Sequence, residues 1–283
     1  PLSTHIYSTN FKTFTTTCLS SPNGIHDGIF NTENAMIIDR FSNLQTPSKI
    51  SLISHNKVSH TLYEATNPFA NYTMPVSKFV TITAADSCTS LYGGLILPPQ
   101  FDSTKKYPVI LYVYGGPHVQ LVTNNWLINN GFFLQYLASK GFVIFMLDSR
   151  GSANRGFEFE SCTHLQLGTI EAEDQLKGIS WLTKQPFIDS SKIGVYGVSF
   201  GGFMTLSLIE KAPLLFKVAV SASPVTDWKY YEIMYGERYM STPQNNIKGY
   251  TLSSTINKVR NIKAKLLLIN GGLDHITVLQ NSM

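Results

Sequence analysis

The sequence predicts an α/β protein, a mostly parallel sheet with helices on both faces, preceded by a short all-β segment. Three patterns point to it. From about residue 73 onward, short apolar runs alternate with helical ones, whereas the earlier residues form β-like runs between turn residues with no helical period. In the second region Gly197-Val198-Ser199-Phe200-Gly201-Gly202 lies between an apolar strand and a helix-forming run. A chain of 283 residues, 43% hydrophobic, can bury the core of one large domain and part of another.

In residues 1–72, strands are expected at Phe11 to Thr17, Ala35 to Phe41 and Ile50 to Ser54, with a linker at Asn67 to Asn71. Such a unit cannot bury a core alone and reads as the C-terminal end of a larger β structure. Residues 73–283 form the α/β domain. Val80 to Ala84 and Leu91 to Leu97 read as an opening antiparallel pair, and Val109 to Tyr114 and Phe142 to Leu147 as strands buried on both faces. Between the latter two lies a helix, Phe132 to Lys140, closed by Gly141, and Thr169 to Lys184 is a longer amphipathic helix. Strands at Lys192 to Tyr196, Lys217 to Ser221 and Lys265 to Ile269 follow, the last expected to be buried. A sheet of this kind presents its chemistry at the carboxyl ends of its strands.

Charge and composition exclude several classes. A net charge of +4 without a dense Lys/Arg block gives no footprint for nucleic acid. No apolar run approaches the ~18 residues of a membrane span. Cys18, Cys88 and Cys162 are scattered without metal-ligand spacing, and nothing in the sequence calls for a metal or cofactor. The first residue is Pro1, not Met, so the chain is expected to be a segment of a longer protein, cut at both ends.

The run around Ser199 has a physical reading. Lys192 to Tyr196 leads into the turn, and Phe203 to Glu210 continue as a helix that Pro213 stops. A strand that becomes a helix within one or two residues strains the residue at the corner, and small neighbours let the two elements approach. The corner lifts the Ser199 hydroxyl above the sheet edge, and the helix N-terminus aims the Phe200 N–H at any oxyanion formed there. Asp274, after a strand and the Gly271-Gly272 turn, is placed to orient a histidine, in the Ser-then-Asp order of α/β hydrolases. Of the seven histidines, His118 precedes the serine and His275 adjoins Asp274, so neither suits a general base. The base is expected beyond Met283.

Tyr112 to His118, Leu147 to Ser152, Leu167-Gly168-Thr169, Gly197 to Gly202, and Pro224 to Tyr231 through Tyr235 to Met240 together resemble the dipeptidyl peptidase IV branch of the prolyl oligopeptidase family, and its bacterial members most. The resemblance implies an α/β-hydrolase domain preceded by the last strands of a β-propeller. It implies a serine peptidase that releases N-terminal Xaa-Pro or Xaa-Ala dipeptides through an acyl-enzyme, with Ser199 as nucleophile, Asp274 as the acid, and Tyr114 joining the Phe200 N–H in the oxyanion hole. Val225, Trp228, Tyr231 and Tyr235, with Phe200, match the apolar pocket for a proline-like ring, which has no N–H to satisfy. Glu237 and Arg238 are expected to form an internal ion pair.

The resemblance further implies peptide substrates with a free amino terminus, dimerisation, and a periplasmic, cell-surface or secreted setting. The sequence departs from the family's pattern at Val198 and Phe200, at Asn270 and at His275-Ile276-Thr277, which puts substrate recognition in question more than the chemistry. Competing readings are an acylaminoacyl peptidase or carboxylesterase of the same fold, and a non-catalytic binding homologue.

Overall fold

The computed structural model describes residues 1–33, 36–54 and 57–283. Ala35 and His55, the first residue of one expected strand and one of the seven histidines, lie outside the described residues. The chain opens with a hairpin, β1 (Tyr7–Asn10) and β2 (Thr15–Cys18). The single strand expected over Phe11 to Thr17 is therefore incorrect: Asn10 turns the chain, its side chain accepting from the N–H groups of Lys12 and Thr13. An antiparallel meander follows, β3 (Ile25–Asn31), β4 (Met36–Ser42), β5 (Lys49–Ser54) and β6 (Lys57–Glu64). Its small core is Ile6, Ile37 and Ile53, with His26 buried against Asp39 at 2.8 Å.

The remaining strands build one sheet: β7 (Val76–Thr83), β8 (Ser90–Leu97), β9 (Tyr107–Val113), β10 (Val143–Asp148), β11 (Ile188–Val198), β12 (Val218–Ala222) and β13 (Lys265–Ile269). Their spatial order is β13-β12-β11-β9-β10-β8-β7. The first five in that order run parallel, β8 adds antiparallel to β10, and β7 adds antiparallel to β8. Every residue of β10 is buried, as a strand covered on both faces requires.

Helices cover the sheet: α1 (Leu127–Asn130), α2 (Phe132–Ser139), α3 (Phe157–Ser161), α4 (Ile170–Leu182), α5 (Phe200–Lys211), α6 (Ile233–Met240) and α7 (Ile247–Ser253). The largest core cluster joins Phe145 and Leu147 of β10, Ile179 and Leu182 of α4, and Phe203, Met204 and Leu208 of α5. Each such side chain contributes ~1.5–3 kcal/mol by burial. The N-terminal segment docks on the loop before α1: the Asn124 N–H donates to the Leu2 carbonyl at 2.7 Å, and the Leu44 N–H donates to Asn124 Oδ1 at 3.4 Å.

One expectation about β13 is corrected. The strand lies where the sequence puts it, but Leu267, Leu268 and Ile269 are exposed: β13 ends the sheet, and little among the described residues packs over its side chains. Among the described residues no helix is long and apolar enough to cross a membrane.

Candidate active site

The corner between β11 and α5 is built by steric exclusion. Ser199 stands at φ 58° and ψ −119°, outside both helix and strand geometry. A non-glycine residue held there costs ~1–3 kcal/mol and persists only when its surroundings over-determine it. They do so through backbone packing: a Cβ on Gly201 would fall on the Val113 carbonyl oxygen, and one on Gly197 would fall on the Gly201 carbonyl. The Ser199 N–H donates to the Ala222 carbonyl at 2.9 Å, and the Ser199 carbonyl accepts from Phe203 at 3.0 Å. The corner is thus fastened to β9, β12 and its own helix.

Tyr114 follows the last residue of β9, the strand beside β11, and Val113 is in register with Gly197. This register brings the Tyr114 phenol close to the Ser199 side chain. Burial pushes the phenol's pKa up, so at neutral pH the group keeps its proton and can donate. Phe200 opens α5, and N–H groups in a helix's first turn have no intrahelical partner. A phenol and a backbone N–H on either side of Ser199 can share one developing negative oxygen.

Asp274 sits past β13, two strands from β11, roughly 9–10 Å at ordinary strand spacing. The N–H groups of Thr277 and Ile276 donate to its Oδ1 at 2.9 and 3.0 Å, and the Ser223 hydroxyl lies nearby. These donors, with His275 nearby, hold its pKa below the ordinary carboxylate value. An ionised carboxylate on the same sheet edge as Ser199 can orient an imidazole placed between them.

Among the described residues no histidine hydrogen-bonds to Ser199 or Asp274. His118 instead faces Glu160 at 3.9 Å and Tyr239 at 5.9 Å between ring centroids. Glu237 and Arg238 are exposed and make no ion pair among the described residues, a correction that follows from their adjacency on α6.

Beside Ser199 the aromatic residues do converge. The Phe200 ring lies 5.9 Å from Tyr114 and 5.4 Å from Trp228. Tyr235 stacks on Trp228 at 5.7 Å and 16°, and Tyr231 meets both edge-on at 5.5 and 5.4 Å. Val225 and Trp228 are buried, while Tyr231 and Tyr235 are half-buried. Asp227 caps the turn that carries Trp228 by accepting from the Lys229 N–H at 3.1 Å.

Sequence reasoning missed Ser223, Asn281 and Tyr239. Ser223 follows β12 and lies near Asp274, and Asn281 Oδ1 accepts from the N–H and hydroxyl of Thr226 at 3.1 and 3.2 Å, fixing the loop between Val225 and Trp228. Tyr239, one helical turn beyond Tyr235, lies 4.6 Å from its ring. That spacing was readable once α6 was recognised as a helix; the two polar contacts carry no local sequence signal.

A sheet in this strand order, with a serine on the corner after its central parallel strand, defines an α/β-hydrolase fold. The signature of the prolyl oligopeptidase family matches residues 130–283, and the chain belongs to that family. It is 33% identical to mouse dipeptidyl peptidase 8 over 97% of its own length and 32% of that protein's. It is 39% identical to a probable dipeptidyl-aminopeptidase B of Arthroderma gypseum over 66% of this chain and 20% of that one. Among solved structures, a putative dipeptidyl aminopeptidase IV from Bacteroides ovatus superimposes with a TM-score of 0.93 at 42% identity, covering 98% of this chain and 40% of that one. Dipeptidyl peptidase 4 of Porphyromonas gingivalis gives 0.92 at 31%, covering 99% and 40%. The chain spans a third or less of the length of these curated relatives. The resemblance to the dipeptidyl peptidase IV branch, and the α/β-hydrolase domain preceded by β-propeller strands that it implied, hold.

Proposed function

We propose that the protein carrying this segment is a serine peptidase that releases N-terminal dipeptides with proline or alanine at the second position. The observation that carries this reading is the aromatic box beside Ser199: Trp228, Tyr231 and Tyr235 with Val225 and Phe200. A pyrrolidine ring offers only apolar surface, and stacked aromatic walls bury it without leaving a polar group unpaired.

In the proposed reaction the Ser199 oxygen attacks the carbonyl carbon after the second residue, and a histidine accepts the hydroxyl proton. The carbonyl π electrons move to oxygen, where the Tyr114 phenol and the Phe200 N–H meet the charge. The C–N bond then breaks, the histidine returns the proton to the leaving amine, and water repeats the sequence to free the dipeptide. Asp274 steadies the imidazolium. No described histidine lies at Ser199, so this base is proposed to come from outside residues 1–283. The domain boundary is proposed near residue 72, between β6 and β7. Dimerisation and a periplasmic or secreted setting belong to the same reading, supported by kinship with bacterial dipeptidyl peptidases.

The test is hydrolysis of Ala-Pro and Ala-Leu anilides by the full-length protein and by residues 1–283 alone. The full-length protein should favour Ala-Pro in kcat/KM by at least ~10–200-fold, the range an apolar pocket provides. Residues 1–283 should show little or no turnover. Robust cleavage by the shorter chain that disappears in Ser199→Ala would overturn the assignment of the base.

A further inference from the structure

Beneath the aromatic pocket lies a carboxyl group that the proposed reaction does not use. Glu171, in the first turn of α4, has no exposed surface. Its Oε2 accepts from the Gly168 N–H at 3.0 Å, and its Oε1 finds no hydrogen-bond partner among the described residues. Gly168 itself, at φ +81°, is pressed against Phe203, where a Cβ would run into the ring. Phe203 in turn meets Phe200 at 5.3 Å and Trp228 at 5.2 Å, both edge-on. The same loop braces α6: the Leu167 N–H points to Met240 Sδ at 3.4 Å, and the Leu165 N–H donates to the Tyr239 carbonyl at 2.7 Å. The Glu171 carboxyl is thus one of the anchors of the loop against which Phe203 and α6 rest, beside Asn246 Nδ2, which donates to the Leu165 carbonyl at 2.9 Å.

We propose that Glu171 is a positioning residue of the aromatic pocket: the neutral acid stays in its buried site and helps to hold the pocket floor, whereas ionisation leaves a charge with one unpaired oxygen buried beside Asp174, which draws water in, loosens that floor and weakens substrate binding without slowing the chemical step. The inference rests on the pocket's assignment to the substrate ring. The groups around the carboxyl offer an ionised Glu171 no free counter-ion, and Asp174 opposes its charge. Asp174, one turn along α4, is buried, Tyr235 approaches from α6, and Cys162 lies just past α3. Arg150 is the nearby cation, but it is committed to Asp174 at 2.8 Å and to Asp86 at 3.0 Å. Burial therefore outweighs the backbone N–H groups of Glu171, Gly168 and Thr169 and pushes the pKa up to about 8. A buried carboxyl with one oxygen unpaired behaves in this way.

The experiment measures binding of alanyl-pyrrolidide, which can fill the pocket but has no scissile peptide bond, to the full-length wild type and Glu171→Gln. Taking the ratio of the two dissociation constants cancels ionisation of the ligand's own amine. With a pKa of about 8, the ratio of wild type to Glu171→Gln should rise about tenfold between pH 7 and pH 9, with kcat on Ala-Pro anilide changing in parallel in both proteins. A ratio that stays constant overturns the proposal. Melting temperature gives a readout independent of ligand. The folded-state pKa lies above the ordinary value, so the stabilisation is full below about pH 4.5 and is lost as pH rises towards 8. Glu171→Gln should therefore melt above wild type at pH 8, with the gap closing by pH 4.5, and a constant gap also counts against the proposal. If the pyrrolidide binds with the expected pH dependence but no Xaa-Pro anilide is cleaved, the peptidase reading fails and the role of Glu171 stands.

Discussion

The serine corner and the acid-bearing loop sit on the same edge of one sheet but are built differently. Ser199 is held by walls: Gly197 and Gly201 press backbone on backbone, and Phe200 beside it is 2% exposed. Asp274 is held by hydrogen bonds alone, in a loop where neighbouring Leu273 is 96% exposed and Ile276 is 56% exposed. Asn270 closes that loop, its Nδ2 donating to the Thr277 carbonyl at 3.2 Å. The corner's geometry thus depends on residue size, whereas the loop's depends on charge and on what packs beside β13. Ser199 is positioned by the fold itself, and Asp274 by contacts that pH and solvent can reach.

Substitutions on each side should separate the two. Ser199→Ala in the full-length protein should lower kcat by about a factor of a million while the melting temperature stays near wild type. Asp274→Asn removes the acid but keeps an acceptor for the Ile276 and Thr277 N–H groups, so kcat should fall about ten-thousand-fold, with folding intact by circular dichroism. Tyr114→Phe deletes one oxyanion donor and should cost about 10²–10³ in kcat with KM little changed. Loss of activity through KM alone would remove Tyr114 from the oxyanion hole.

Stability should show the reverse contrast. Gly201→Ala, which sets a methyl group on the Val113 carbonyl, should destabilise by several kcal/mol in urea titration, whereas Leu273→Ser should stay within ~0.5 kcal/mol. Equal effects would mean that the corner is less rigidly walled than its contacts indicate. The pH response follows the same division. Asp274's pKa lies below the ordinary carboxylate value, so its hydrogen bonds are intact at neutral pH and are lost only as pH falls through that lowered value.

The difference also explains what the sequence makes legible. The corner is readable because its cause is local: an apolar strand, small residues and a helical run follow one another. Most strands and helices of the α/β region are readable for the same reason, since their periods are unbroken. Strand β3 was not anticipated, because His26, Asp27 and Gly28 interrupt its apolar alternation and His26 becomes buried through tertiary contacts with Asp39 and Phe41 on β4. The burial of β13 was misjudged because an apolar run records composition and not the presence of a neighbour. The aromatic box is visible only through family resemblance, since Trp228 and Tyr235 stack across two separate elements. Glu171 is the least legible: an acidic residue in a helix's first turn ordinarily faces solvent, and its burial is a tertiary fact.

The central claim is that Ser199 and the aromatic pocket act together on the second residue of a peptide. Mass analysis of products from a peptide beginning Gly-Pro, with free and with acetylated amino termini, tests it most directly in the full-length protein. Release of the Gly-Pro dipeptide is expected from the free peptide, little from the acetylated one, and none with Ser199→Ala. Comparable cleavage of both peptides, or release that survives in Ser199→Ala, would contradict it.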